Sequence, residues 1–100
     1  MLSSDETIRI LREVYPHLAA EYGVRRLGVF GSYAKGRPTK TSDVDLVVEF
    51  NRPIGFRFIT LSEYLERVLG TKVDILTPAG IQGIRVKRVA RSIEGSIVYV

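Results

Sequence analysis

Two aspartates stand one residue apart at the start of a β-rich run, "DVDLVVEF" (43–50). Side chains alternate between the two faces of a strand, so Asp43 and Asp45 project from the same face. The opposite face is apolar and should face the core; it carries Val44, Leu46, Val48 and Phe50. Two carboxylates this close repel each other unless a cation lies between them, and their oxygens suit a hard ion such as Mg²⁺. The pair therefore predicts a metal site, with unrelated turn and strand charges as the alternative.

A third carboxylate follows in the next predicted strand, "KVDIL" (72–76). Asp74 alternates with Val73 and Ile75, so it can face the same cleft as the first two carboxylates if the strands are neighbours. Three carboxylates on two adjacent strands can hold two metal ions, an arrangement suited to phosphoryl and nucleotidyl transfer. Asp43, Asp45 and Asp74 are thus the predicted catalytic and metal-binding residues.

A Gly-Ser pair precedes the aspartates, where the apolar run "VRRLGVF" (24–30) leads into Gly31 and Ser32. Glycine permits tight backbone geometry and close approach of a ligand, and Ser32 can cap the short helix that "SYAKG" suggests. The free N–H groups of a helix start favour phosphate, and Lys35 and Arg37 add positive charge. Alone, the pair fits an ordinary turn with a capping serine. Together with the carboxylates it predicts a site for a nucleoside triphosphate, with Gly31, Ser32, Lys35 and Arg37 as its contacts.

Helices and strands are expected to alternate along the chain. Ser3 and Glu6 have capping-box spacing, which together with apolar residues at helical intervals predicts a helix over 4–22. Pro16 should kink or split this helix, and Gly23 should end it. Further strands are predicted over 24–30, 44–50, 72–76 and 96–100, and further helices over 56–70 and about 80–93. The order predicts an α/β or α+β fold, a small mixed sheet covered by helices.

Length and composition narrow the classes of protein. The chain has 100 residues, the size of a single domain spanning 1–100, and its 45% hydrophobic and 26% charged residues argue against disorder. The absence of cysteine excludes a disulfide framework and a thiolate zinc site. No signal-peptide or membrane-spanning pattern is found, so a cytoplasmic protein without a membrane partner is expected. A net charge of +4 favours an anionic partner.

Some features carry two interpretations. The last predicted helix bears a basic stripe that fits either a solvated face or a docking site for an acidic partner or RNA; it consists of Arg85, Lys87, Arg88 and Arg91. The segment 52–58 is either a plain loop or a flap whose Arg52 or Arg57 touches the nucleotide. His17 and Tyr33 are expected to be structural.

The motifs also resemble a known family. Gly31-Ser32, ten intervening residues and Asp43-Val44-Asp45 match the G-S-x10-D-x-D signature of the DNA polymerase β-like nucleotidyltransferases. More narrowly, "GSYAKGRPTKTSDVDLVVEF" followed by "LGTKVDILTP" resembles the minimal nucleotidyltransferases, small proteins often encoded beside a HEPN-domain toxin. The resemblance extends over nearly the whole chain.

The resemblance implies roles for individual residues. Ser32 would bind the triphosphate, Asp43 and Asp45 would ligate both metal ions, and Asp74 would be the third carboxylate. Lys35 stands where the family commonly has arginine, which keeps the charge but not a bidentate phosphate contact. The chain lacks the extra domains with which larger relatives hold a nucleic acid or antibiotic, so the acceptor is less defined than the chemistry.

The expected function is Mg²⁺-dependent transfer of AMP from ATP to a hydroxyl of a protein acceptor. The resemblance implies that the acceptor is a HEPN toxin and that this chain is the antitoxin. The chain can also form an oligomer under this hypothesis. One alternative is a nucleotide-binding antitoxin that neutralises its partner by contact. Another is nucleotidyl transfer to RNA or to a small molecule.

Overall fold

The computed structural model describes residues 2–34, 36, 43–82 and 97–100. In chain order its elements are α1 (Ser4–Tyr22), β1 (Val24–Phe30), α2 (Gly31–Ala34), β2 (Val44–Phe50), α3 (Arg57–Leu69), β3 (Val73–Leu76), α4 (Pro78–Gln82) and β4 (Val98–Tyr99). The mixed architecture predicted from the sequence is confirmed. Among the helices of these residues, none is both long and apolar enough to cross a bilayer.

The first helix begins at the capping box that the sequence predicts. The Ser3 hydroxyl accepts a hydrogen bond from the Glu6 backbone N–H at 3.1 Å, and the Glu6 carboxylate accepts one from the Ser3 N–H at 3.1 Å. These bonds satisfy backbone donors that a helix start leaves without a partner. The helix ends at Gly23, whose φ of 68° lies in the left-handed region that glycine adopts readily.

Helix α1 continues through Pro16 as one helix, so the predicted split is wrong. Leu11 and Leu18, on either side of the proline, are both fully buried in the core. Pro16 itself is exposed, and so is Arg12, whose carbonyl loses its helical partner because proline has no N–H. Water can hydrate that carbonyl, while packing of the buried face holds the helix together.

The described strands form one sheet in the order β3-β2-β1-β4. Strand β1 pairs antiparallel with both β2 and β4, whereas β2 and β3 are parallel. A parallel pair needs a crossover connection, and α3 supplies it between β2 and β3. This connection makes the two aspartate-bearing strands neighbours, as the sequence analysis requires.

The main core lies between one face of the sheet and helices α1 and α3. Most of its members are buried aliphatic residues, among them Leu11, Leu18, Leu27, Val29, Val44, Leu46, Val48, Leu61 and Leu65. A smaller cluster of Phe30, Val47 and Ile81 occupies the other face. The face of β2 predicted to be apolar is therefore buried as expected, and the carboxylates lie on the second, less covered face.

Helix α4 begins at Pro78, two residues before the predicted start near position 80. Thr77 precedes it and its hydroxyl accepts a hydrogen bond from the Gly80 N–H at 3.1 Å. Proline suits the first turn of a helix, because the N–H that it lacks would have no helical partner there, so Thr-Pro starts this helix. The predicted continuation to residue 93 lies outside the described residues.

Candidate active site

The predicted carboxylates meet at one end of the sheet. Asp45 on β2 and Asp74 on β3 are directly paired in the parallel ladder, and Phe30 on β1 is the partner of Asp45 on its other side. Asp43 immediately precedes β2 and is half-buried, while Asp74 is exposed. The prediction that β2 and β3 are neighbours is confirmed, and the register places their two aspartates side by side.

Because Gly31 has no side chain, the Asp45 carboxylate can lie against its backbone. The glycine follows the last residue of β1 and has a φ of 72°, a conformation that side-chain-bearing residues rarely adopt. A Cβ atom built on Gly31 would collide with Asp45 Oδ2 and would lie 3.3 Å from Asp45 Cγ. The sequence predicts that Gly31 admits a ligand. The group that approaches it in the structure is a carboxylate of the chain itself.

The environment of Asp45 opposes its ionisation. Burial raises the pKa of the Asp45 carboxyl above its ordinary value, and the negative charges of Asp74 and then Asp43 raise this pKa further. The site therefore concentrates negative charge beside a partly desolvated carboxylate. A bound cation would offset both the cost of burying the Asp45 charge and its repulsion by the neighbouring aspartates.

The donor chemistry of this cluster fits a divalent metal ion. Asp43, Asp45 and Asp74 offer hard carboxylate oxygens, the type of ligand that Mg²⁺ prefers. As placed, no three acidic or histidine side chains among residues 2–34, 36, 43–82 and 97–100 form a ready-made metal cage. Mg²⁺ commonly combines one or two carboxylates with water and substrate phosphates, so a loosely grouped set of acids is compatible with it.

The Gly-Ser segment forms a single helical turn, α2, between β1 and the aspartates. Ser32 is half-buried in this turn, and Tyr33 is only 2% exposed and belongs to the main core, as its predicted structural role requires. The backbone N–H groups of a first turn lack helical partners. Lys35 and Arg37, the other predicted phosphate contacts, lie outside the described residues, as does the basic stripe from Arg85 to Arg91.

The segment 52–58 lies at the other end of β2. The Arg52 side chain lies close to Gly23. The Arg52 Cζ atom would be 3.3 Å from a Cβ atom built on Gly23. Arg57 pairs with Glu21 at 3.9 Å, and its guanidinium lies 5.2 Å from the centroid of the Tyr22 ring. Strand β2 spans seven residues, or about 20 Å, so these arginines are remote from the carboxylates. The interpretation as a nucleotide-contacting flap does not fit this placement.

A groove of about 320 Å³ borders the same face of β2 beyond the carboxylates. It is lined by Arg26, Val47, Glu49, Pro78, Ile81, Ile97 and Tyr99. Its polar groups already contact one another: the Arg26 guanidinium is 3.9 Å from the Glu49 carboxylate and 4.1 Å from the centroid of the Tyr99 ring. The three aspartates do not line this groove.

The family model for the nucleotidyltransferase domain matches residues 6–100. The chain belongs to this nucleotidyltransferase family. The match covers the Gly-Ser turn and all three aspartates, so the geometry above is that of a nucleotidyltransferase domain.

Relatives named as protein adenylyltransferases match over all or nearly all of their length. A Methanocaldococcus jannaschii protein provisionally named a protein adenylyltransferase is 41% identical, with 100% of each chain covered. The protein adenylyltransferase MntA of Thermococcus cleftensis is 38% identical, and the match covers 100% of this nucleotidyltransferase and 98% of MntA.

Solved structures share the fold. A structure provisionally described as a minimal nucleotidyltransferase matches with a TM-score of 0.71 and 31% identity, covering 97% of this chain and 95% of that one. A toxin-antitoxin structure with AMP-PNP matches with a TM-score of 0.62 and 19% identity, covering 98% of this chain and 72% of that one. At that identity the second likeness concerns the fold alone.

Proposed function

We propose that this nucleotidyltransferase transfers AMP from Mg²⁺-ATP to a hydroxyl group of a partner protein. The observation that carries the proposal is the pairing of Asp45 with Asp74 beside the turn at Gly31. It supports a site in which carboxylates face a triphosphate held at the same end of the sheet. The names of the two protein adenylyltransferase relatives support AMP as the transferred group and protein as the acceptor.

Each site residue has a proposed task. Asp43, Asp45 and Asp74 would hold divalent metal, with two Mg²⁺ ions as the expected number. Bound metal would neutralise negative charge that develops on the phosphate oxygens during transfer. Gly31 keeps space for the Asp45 carboxylate, and Ser32 in α2 contacts the triphosphate. Lys35 and Arg37 add positive charge to the triphosphate contacts.

The proposed reaction is a substitution at the α-phosphorus of ATP. The acceptor hydroxyl oxygen forms a bond to this phosphorus, and the bond to the oxygen bridging the α- and β-phosphates breaks. Pyrophosphate leaves, the hydroxyl proton is released, and the acceptor retains AMP as a phosphodiester. The carboxylates contribute by orienting the phosphate and by lowering the cost of bringing the reactants together.

The proposed acceptor is a HEPN-domain toxin, which would make this chain an antitoxin. The support is the sequence resemblance to the minimal nucleotidyltransferases, together with the shared fold of a toxin-antitoxin structure that contains AMP-PNP.

Intact mass spectrometry tests the proposal. The protein encoded by the adjacent gene is incubated with this chain, ATP and MgCl₂, and its mass is compared with that of a sample lacking ATP. A mass increase of one or more AMP units on the acceptor is expected. If the two proteins co-purify but the acceptor mass is unchanged, neutralisation by contact is favoured instead. In a second reaction RNA is added, and transfer of AMP to the RNA alone would favour a nucleic-acid acceptor.

A further inference from the structure

Glu66, on the last turn of α3, contacts the strand that carries Asp74. Its carboxylate oxygen Oε2 accepts a hydrogen bond from the Val73 backbone N–H at 3.2 Å. Val73 is the first residue of β3, directly before Asp74. The contact therefore fixes the chain one residue away from a proposed active-site carboxylate.

The position of β3 explains why this N–H needs a side-chain partner. Strand β3 lies at the edge of the described sheet, with β2 as its neighbour. The Lys72 carbonyl accepts a hydrogen bond from Val44 N–H at 3.0 Å, so Lys72 faces β2. Backbone groups alternate in direction along a strand, so the N–H of Val73 points toward the open edge. Without Glu66 it would depend on water.

Glu66 holds both ends of the connection between α3 and β3. Its backbone carbonyl accepts a hydrogen bond from Gly70 N–H at 2.8 Å, which ends the helix, and its carboxylate binds the first strand residue. Gly70 adopts a φ of 70°, as a left-handed helix cap does. One residue thus sets where the three-residue link 70–72 leaves the helix and where it enters the strand.

We infer that Glu66 is a positioning residue, which holds β3 in the register that places Asp74 beside Asp45. The inference rests on the proposed function, because it gives Asp74 a task in nucleotidyl transfer. Residues that orient metal-binding groups from outside the first contact layer typically change metal affinity or activity by about 10- to 100-fold when they are removed. Loss of the contact should lower kcat more than it raises the KM for ATP, since the proposed triphosphate contacts, Gly31, Ser32, Lys35 and Arg37, are not part of β3.

Three substitutions at position 66 separate the effect of the hydrogen bond from that of the charge, and an alanine control on the same helix accounts for helix propensity. Glu66→Gln keeps an acceptor oxygen at the same reach, whereas Glu66→Asp keeps the charge but is one methylene shorter. Glu66→Ala removes the group. Glu63→Ala, at an exposed position of the same helix, serves as the control.

Two readouts are measured: kcat and KM for AMP transfer to the partner protein, and hydrogen exchange of the Val73 amide by NMR. We expect Glu66→Ala and Glu66→Asp to lower kcat at least about tenfold, with KM for ATP within about twofold, and to accelerate Val73 exchange. Glu66→Gln and Glu63→Ala should stay near the parent in both readouts. If Glu66→Ala fails to fold, the comparison of Glu66→Asp with Glu66→Gln decides.

The outcomes separate this inference from the proposed function. A parent protein that transfers no AMP overturns the proposed function. A parent that transfers AMP, while Glu66→Ala and Glu66→Asp retain its kcat, overturns the role of Glu66 alone. Loss of activity in Glu66→Gln equal to that in Glu66→Ala would also overturn it, because charge and not the bond to Val73 would then matter.

Discussion

The carboxylate of Asp45 lies in the space that a side chain on Gly31 would occupy. The two residues come from different elements, since Gly31 begins α2 directly after β1 and Asp45 lies in β2, the antiparallel neighbour of β1. Their contact joins the Gly-Ser turn to the carboxylate cluster.

Gly31→Ala should destabilise the fold by more than its backbone conformation alone explains. A left-handed conformation costs an ordinary residue about 1–2 kcal/mol, and the added methyl group would also displace the Asp45 carboxylate. Gly70→Ala is the matched control because Gly70 has a φ of 70° and no atom within 4 Å of a built Cβ. Urea unfolding of both variants measures the difference. Equal losses of unfolding free energy would show that the Asp45 contact has no energetic consequence.

Asp45→Asn should raise the thermal stability of the metal-free protein near neutral pH. The pKa of Asp45 is raised in the folded state, mainly by burial and then by Asp74 and Asp43. Protonated Asp45 therefore contributes its whole stabilisation of the fold below the pKa that its carboxyl has in the unfolded chain. This stabilisation is lost as the pH rises through the pKa of Asp45 in the folded state. The Tm advantage of Asp45→Asn should be present at pH 7 and shrink as the pH falls toward the acidic range. An advantage that is constant with pH would refute this explanation.

Ser32→Ala should weaken ATP binding without unfolding the protein. Loss of one hydrogen bond to a charged group costs about 1–3 kcal/mol, and Ser32 is half-buried outside the main core. Isothermal titration with Mg²⁺-ATP and circular dichroism measure the two effects. Unchanged affinity, or loss of the fold, would mean that the role of Ser32 is structural.

ATP binding should require a divalent cation. Three carboxylates at one end of the sheet repel a triphosphate; the pKa of Asp45 is raised first by burial and then by the charges of Asp74 and Asp43. Calorimetric affinity in EDTA should be at least about tenfold lower than in MgCl₂, or about 1.4 kcal/mol in binding free energy. Equal affinities in the two buffers would remove the role of the carboxylates in metal-bridged binding.

Local patterns in the sequence predicted most of the described fold. The capping box at Ser3, the alternation along β2 and the glycine at position 23 each act through neighbouring residues, and the structure confirms all three. The bounds of β1 and β2 are the predicted ones, and those of α3 and β3 agree within one residue. The alternation also placed Asp45 correctly on the face away from the main core.

Features that depend on tertiary contacts were not predictable in the same way. Packing of Leu11 and Leu18 keeps α1 continuous at Pro16. The bond from Val73 to Glu66 and the approach of Asp45 to Gly31 join residues from different elements, so no local pattern indicates them. The sequence allows the segment 52–58 to be a plain loop or a nucleotide-contacting flap, and only the structure shows that its Arg57 pairs with Glu21 at the far end of β2.

Transfer of label from ATP radiolabelled at the α-phosphate tests the central claim most directly. The parent, the double variant Asp43→Asn with Asp45→Asn, and a control with Glu13→Gln and Glu63→Gln are each incubated with the co-purified partner. Both pairs of substitutions remove two negative charges, but Glu13 and Glu63 lie on exposed helix positions away from the site. We expect the parent and the control to label the partner, whereas the aspartate variant should bind the partner and leave it unlabelled. Labelling by the aspartate variant at the parental rate would contradict this expectation.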